Sequence, residues 1–328
     1  MKPVAHLNHS RDLLLATLPA LTTVTWFFGP GKVFTIALGT VFTLFIEILV
    51  MRLKGRYKWQ DLCESKIFVS PVLLCLAIPP YAPWWLILIG VASSILIGKH
   101  AFGGISSPFN PAMVGYAVLL VSFPMQMTSW VSPRGVSNLP SFIETIDIIF
   151  LNISADSITS ATPLDLFKQS SGLMFVDFLE NHPELNSIGG IGWVETNIAF
   201  LVGGLWLNRR GVFSLHSPFA MLFTMAVCSF VGFDGGSSES GGGAIFHLFS
   251  GATMFSAFFI LTDPSSSPKC RKGQLFFGSL IGFLVYLIRV WGEYPDGFAF
   301  AILIMNFCTP FIDSQLEDSS EAKGYAQK

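Results

Sequence analysis

Charge is what this chain has least of. Only 12% of its 328 residues are Asp, Glu, Lys or Arg, against about 25% in soluble domains. So little charge cannot clothe a soluble globule of this length, and a polytopic membrane protein is the expectation. The formal net charge is −2, so no basic field is available to hold nucleic acid. The five cysteines, Cys63, Cys75, Cys228, Cys270 and Cys308, form no C-x-x-C pair and none neighbours a histidine. Isolated thiols are the ordinary reading, and a metal or iron–sulfur centre held by this chain alone is disfavoured. Also missing are H-x-x-x-H spacing, a Walker loop and a G-x-G-x-x-G turn after a strand, which removes a nucleotide-binding fold and a built-in metal site.

What fills the chain is apolar. Hydrophobic residues make up 52% and mean hydropathy is +0.59. The 32 Phe suit a lipid-facing surface and the 30 Gly suit close helix contacts. A full span takes about 20 apolar residues, fewer where the helix is broken. Ten candidates emerge, at 12–29, 33–51, 67–79, 83–98, 111–124, 189–207, 212–231, 243–262, 274–291 and 297–312. The first follows Lys2 and Arg11 without a small-residue cleavage site, so it reads as a retained anchor.

Basic residues set the orientation. Arg52, Lys54, Arg56 and Lys58 follow the second stretch, Arg209 and Arg210 the sixth, and Lys269, Arg271 and Lys272 the eighth. All fall on one side with Lys2, Arg11, Lys66, Lys99, Lys323 and Lys328. The exceptions are Lys32, Arg134, Lys168 and Arg289. The expectation is an all-α protein of ten transmembrane helices with both termini cytoplasmic. Residues 1–124 form one five-helix repeat, 125–188 an external (periplasmic) segment, 189–312 a second repeat, and 313–328 a polar cytoplasmic tail. An odd number of spans inverts the second repeat relative to the first. Two echoes favour duplication: Ser70-Pro71 with Ser217-Pro218, and Ala112-Met113 with Thr253-Met254. Chance similarity between apolar segments is the competing explanation.

Two internal loops are rich in helix breakers, Phe102–Pro111 and Leu261–Pro268. Breaks of this kind free backbone groups to meet a ligand or an ion, and they also make ordinary turns. Asn110 could touch a ligand or cap the helix that starts at Pro111. Glu47, Glu195, His216, His247 and Asp263 are ionisable groups inside candidate spans. Each lies near a span end, where interfacial placement is the default. In the external segment, Leu164–Phe167 and Leu173–Phe175 are expected to lie on the membrane surface.

The polar island at 156–162 reads D-x-x-T-S-A-T. On composition alone it is a loop. Four blocks together say more: Ser107-Pro108-Phe109-Asn110-Pro111-Ala112-Met113-Val114-Gly115-Tyr116 through Pro124, Gln126–Trp130, the D-x-x-T-S-A-T, and Phe258–Pro264. With them the whole chain resembles the NqrB/RnfD family. Its members include the RnfD component of bacterial Rnf electron-transport complexes and the NqrB component of the sodium-pumping NADH:quinone oxidoreductase. In that family D-x-x-[ST]-x-A-[ST] marks covalent attachment of FMN through its phosphate. The resemblance implies Thr162 as acceptor, with Asp156, Thr159, Ser160 and Ala161 as the surrounding motif. Ser160 stands where glycine is common. Attack of the threonine hydroxyl on the pyrophosphate of FAD releases AMP and leaves a phosphoester, which calls for an external flavin transferase and a divalent metal.

The resemblance further implies an inner-membrane electron carrier in the lipid bilayer, with the other Rnf components as partners and no nucleic acid. Ferredoxin–NAD exchange would be coupled there to Na+ or H+ movement, with a second, noncovalent flavin (riboflavin) in the bundle. Asn110 and Asp263 are candidate contacts for that flavin or for an ion. Ser250-Gly251-Ala252-Thr253 matches the tetrad core better than the real candidate but has His247 in place of the acid, and it lies inside the eighth stretch. A small-solute transporter without redox chemistry is the rival reading, and a passive scaffold for redox partners is a third.

Overall fold

The structure, a computed structural model, describes residues 3–55, 66–102, 107–151, 158–170, 174–182, 185, 188–234 and 242–325. The first half holds α1 (Pro3–Ala16), α2 (Leu18–Phe28), α3 (Gly31–Leu53), α4 (Lys66–Ala77), α5 (Trp84–Ser93) and α6 (Pro111–Ser122). α5 runs on as a π-helix over Ser94–Ala101. The segment between the halves carries α7 (Pro124–Thr128), α8 (Phe142–Leu151), α9 (Pro163–Gln169) and α10 (Phe175–Asn181). The second half holds α11 (Trp193–Arg209), α12 (His216–Val231), α13 (Ala244–Phe249), α14 (Thr253–Phe255), α15 (Arg271–Trp291) and α16 (Phe298–Tyr325). α14 also continues as a π-helix, over Ser256–Ile260.

All ten candidate stretches coincide with helical elements. Among the described residues, four helices are long and apolar enough to cross a membrane: α3, α5 with its π extension, α15, and α16 as far as Leu316. The stretches at 67–79, 111–124 and 212–231 are realised as shorter apolar helices. Apolar side chains such as Phe45, Phe219, Phe223, Phe307 and Phe311 face outward, as lipid-facing helices require.

Packing recurs between the halves. α3 rests on α4 and α5, and α12 rests on α13 and α15. α5 packs on α6 as α15 packs on α16. Three helix pairs join the halves: α1 and α2 with α11, and α6 with α16. Gly278 and Gly282 allow α15 to lie close along α12. A Cβ at these positions would sit 2.3 Å from Ser217 O and 2.4 Å from Met221 O, the small-xxx-small contact of membrane helices. The sequence echoes align poorly with this pattern: α4 occupies the place of α13, not of α12, where Ser217-Pro218 sits.

Where helices end inside the bundle, backbone carbonyls lose their partners, and a buried orphan carbonyl is costly. Three of the four basic residues that broke the charge asymmetry supply the missing donors. The fully buried Lys32 Nζ donates to the carbonyls of Cys75 (3.0 Å), Leu76 (3.4 Å) and Ile78 at the end of α4. Arg289, also buried, donates to His247 O (2.7 Å) and Ser250 O (3.3 Å) beyond α13. Lys168 reaches the carbonyls of Ile288 (3.4 Å), Gly292 and Tyr294 at the end of α15. The fourth, Arg134, stacks over the exposed Trp26 ring at 4.4 Å.

The expected surface placement of 164–167 is overturned. Leu164 is buried and joins Phe178, Leu185 and Phe246 in a small second core, against which Leu166 and Phe167 pack. Of the companion segment 173–175, Met174 is exposed, and Leu173 lies outside the described residues. The helix of this segment that does present an apolar surface is α8, through Phe142, Ile143, Phe150 and Leu151. Two of the ionisable groups near span ends, Glu47 and His247, are buried within the protein. Glu47 is buried and bonded to Lys99 (2.6 Å) and His100 (3.2 Å), and His247 is fully buried.

Removing a donor from several buried acceptors costs about 3 kcal/mol. Lys32→Met is therefore expected to lower the thermal unfolding midpoint in detergent by several degrees, with Arg134→Met close to wild type. Equal midpoints for wild type and Lys32→Met would refute the capping role.

Candidate functional site

A two-residue ladder fixes Thr159 and Ser160 in space. Trp130–Val131 (β1) pairs antiparallel with Thr159–Ser160 (β2), Trp130 opposite Ser160 and Val131 opposite Thr159. Ser132 N–H adds a bond to Ile158 O at 2.9 Å. The 126–130 block and the 159–162 block, separate in sequence, thus meet. Ser160 is exposed, while Thr159 and Ala161 are half-buried. Asp156 lies outside the described residues.

Thr162 is the N-cap of α9. Its Oγ1 accepts from Asp165 N–H at 3.2 Å, and its own N–H donates to Asp165 Oδ2 at 3.1 Å. This is the capping box that a threonine and an acid three residues on tend to form. Pro163 at the first helical position needs no partner for a missing N–H. The Thr162 hydroxyl also donates to Asp165 Oδ2, at 2.6 Å.

Thr162, Leu164 and Asp165 form one wall of a narrow, partly open cleft of about 90 Å³. The opposite walls come from both halves: Val24 and Phe28 of α2, Tyr116 and Leu120 of α6, Trp193 and Phe200 of α11, and Gly251, Ala252 and Asp296. Phe28, Trp130 and Trp193 form an aromatic cluster, with ring centroids 4.8–6.0 Å apart. The floor is held by polar bonds. Asn197 donates to Phe249 O and Gly251 O, each at 3.0 Å, and accepts from Met254 N–H at 3.0 Å. Asp296 accepts from Ala252 N–H at 2.9 Å and pairs with Arg289 at 3.3 Å. Gly251 has φ +61°, and a Cβ there would meet Leu164 and Asp296 at 2.6 Å.

The electrostatics of the cleft are acidic. Two carboxylates, Asp165 and Asp296, line it, and no Lys or Arg does among the described residues. Burial raises the pKa of the Asp165 carboxyl, against the hydrogen bonds from Thr162 and the charge of Lys168 that pull it down; Asp296 adds to the rise. Burial lowers that of Lys168.

These features match a family. Residues 6–320 fit the model of the NQR2, RnfD, RnfE family. The chain belongs to this family. Its curated relatives include the D component of the ion-translocating oxidoreductase complex of Cellvibrio japonicus (strain Ueda107), 44% identical over 314 residues that cover 93% of this chain and 88% of the relative. The proteins of the same name from Ectopseudomonas mendocina (strain ymp) and Shigella boydii serotype 4 (strain Sb227) are 43% and 42% identical, each over 92% of this chain.

In this NQR2, RnfD, RnfE family chain, the two breaker-rich internal loops come together. Asn110 does cap α6, its Oδ1 accepting from Ala112 N–H (3.0 Å) and Met113 N–H (3.3 Å). Its amide also donates to Asp263 Oδ2 at 3.2 Å. With the Asn306 amide in the orientation that satisfies its neighbours, it accepts from Asn110 N–H and donates to Ser266 O, both at 3.1 Å. This cluster is separate from the cleft: Tyr116 lies six residues along α6 from Asn110, about 9 Å at 1.5 Å per residue.

The decoy tetrad lines the same cleft through Gly251 and Ala252. Thr253 itself is fully buried, donating to His247 O and Ser250 O at 2.9 Å and accepting from Arg289 at 3.0 Å. Trp193 and Asp296 carried no sequence signal, because each is defined only by what the fold sets opposite it. Replacing an N-cap threonine costs about 1 kcal/mol, whereas opening a buried hydrogen-bond network costs about 2 kcal/mol or more. Thr253→Ala is thus expected to destabilise the chain more than Thr162→Ala, as read by thermal unfolding in detergent; the reverse order would contradict the assignment.

Proposed function

We propose that the chain is the membrane flavoprotein component of an ion-translocating oxidoreductase complex, with FMN carried as a phosphoester on Thr162. The observation that bears most weight is the position of the Thr162 hydroxyl on the wall of a cleft between the halves, facing Phe28, Trp130 and Trp193. Aromatic rings of this kind suit the face of a flavin ring. The charges of the cleft favour a covalent tether in particular. No Lys or Arg lines the cleft among the described residues, so a free phosphate finds no cationic partner on its wall. A bond to Thr162 Oγ1 removes the need for one.

When bound, the flavin supplies one-electron redox chemistry. The residues around it hold and shield it. Trp130 is fixed by the ladder to β2, Trp193 starts α11, and Leu164 and Phe200 close the apolar side. Asp296, tied to Arg289, anchors the turn that carries Gly251. Electrons then pass to neighbouring proteins of the complex, in ferredoxin–NAD exchange coupled to Na+ or H+ movement. A second flavin, riboflavin, or an ion would take the Asn110 and Asp263 region.

All ten helical stretches are assigned as inner-membrane spans in two inverted five-span repeats, with both termini cytoplasmic. The offset of five in the packing pattern supports this. So does the use of Lys32, Lys168 and Arg289 as helix caps, since these no longer count against the charge asymmetry. The alternative, a solute transporter built on the same repeat, leaves the acceptor motif unexplained.

Two measurements test the reading. Co-expressed with a flavin transferase, the chain is expected to fluoresce under ultraviolet light on a denaturing gel. Thr162→Ala should abolish the signal and Thr253→Ala retain it; fluorescence persisting in Thr162→Ala would move the attachment elsewhere. A reporter fused near residue 150 should be active only outside the cytoplasm, and internal activity would invert the topology.

A further inference from the structure

We propose that Asp165 is a catalytic base in the maturation of this chain: it holds the Thr162 Oγ1 proton and takes it as the flavin phosphoester forms. This rests on Thr162 being the acceptor, and it names a residue outside the D-x-x-T-S-A-T stretch.

The geometry exceeds what a helix cap requires. In a capping box the threonine oxygen accepts the third residue's N–H, and the third residue's side chain accepts the threonine N–H. Both bonds are present here, at 3.2 and 3.1 Å. The additional bond is the hydroxyl proton donated to Asp165 Oδ2, and at 2.6 Å it is the shortest of the three. A distance of about 2.6 Å belongs to a hydroxyl on an ionised carboxylate. A threonine oxygen has one proton and two lone pairs. The proton points at Asp165 Oδ2 and one lone pair at Asp165 N–H. The second lone pair is left to make the new bond, and Thr162 lines the cleft.

Thr162 Oγ1 forms a bond to the flavin-proximal phosphorus of FAD. The bond between that phosphorus and the oxygen bridging to AMP breaks. AMP leaves with that oxygen and the bonding pair, its charge met by the divalent metal brought by the transferase. The Oγ1 proton passes to Asp165 Oδ2, and no electrons are exchanged with a redox partner. A hydroxyl is a poor nucleophile until a positioned base takes its proton.

The environment suits a base. Burial makes the carboxyl more basic than an exposed aspartate, and Asp296 from the turn before α16 adds to this. Lys168, one turn along α9, opposes it but is committed to carbonyls of α15 and the following turn. Tyr116 of α6 faces both carboxylates, and Arg289 of α15 is engaged by Asp296. A base works best when its pKa approaches the working pH. Because the folded-state pKa is raised, ionised Asp165 accumulates only above the usual aspartate range. Attachment should therefore rise with pH through that raised value and level off above it.

The test uses the full-length chain in detergent, made without a transferase and then given FAD, Mg2+ and a flavin transferase from acid to neutral pH. Attachment is followed by intact mass and in-gel fluorescence. Asp165→Asn keeps an acceptor for the cap but is no base, and its rate is expected to fall about 100-fold with loss of the pH dependence, the lower end of general-base contributions. Asp165→Glu, the residue typical of this capping position, should retain part of the rate and the pH dependence. If Asp165→Asn takes flavin within about threefold of wild type and with the same pH profile, well below a general-base effect, the transferase supplies the base and the proposal fails. If the wild-type chain takes no flavin, or Thr162→Ala takes it equally, the acceptor assignment fails instead. Should Asp165→Asn not fold, by thermal unfolding and size exclusion, the wild-type pH profile and Asp165→Glu decide: a flat wild-type profile, or Asp165→Glu without pH dependence, overturns the proposal.

Discussion

A backbone carbonyl without a donor is among the costliest groups to leave inside an apolar bundle. This chain interrupts helices where α4, α13 and α15 end, and each interruption exposes such carbonyls. Lys32, Arg289 and Lys168 answer them. Asn197 does the same across the gap between α13 and α14. The cleft exists because these ends are capped by side chains and not by further turns of helix. Leu76, Ala77, Gly251, Ala252 and Pro295, which line it, all sit at or beside a capped end.

The same arrangement sets the polarity of the cleft. Every nearby cation is spent on carbonyls or on Asp296, so the lining that remains is aromatic and acidic. That combination favours a flat ring and disfavours a loose phosphate. The proposed covalent phosphoester would resolve the conflict, since the charge would then be fixed by a bond and not by attraction. Asp165 takes part twice, as the cap that shapes the start of α9 and as the partner of the acceptor hydroxyl.

Several parts of this were legible in the sequence because they depend on local pattern. Apolar runs of span length mark helices wherever they fall, and all ten coincide with helical elements. Proline and glycine in 102–111 and 261–268 mark the breaks. Other parts were misread for a definite reason. Sequence shows the distance of Glu47 from a span end but not a partner such as Lys99, 52 residues away. Leu164–Phe167 looked like a surface strip, yet Phe178 and Phe246 cover it. The Ser-Pro echo suggested an equivalence that packing assigns elsewhere.

By itself the sequence determined the helical class and the places where helices break, and a family resemblance singled out Thr162. Each of these is decided within a few consecutive residues. Only the tertiary structure decided what the four exceptional cations do, that Thr253 is fully buried while Thr162 lines a cleft, and that Asp165 holds the hydroxyl of Thr162. The cleft joins α2, α6, α9, α11 and the turns at Gly251 and Asp296, and its walls come from residues between 24 and 296. Such a site has no local signature, because its chemistry arises from separations that only folding closes.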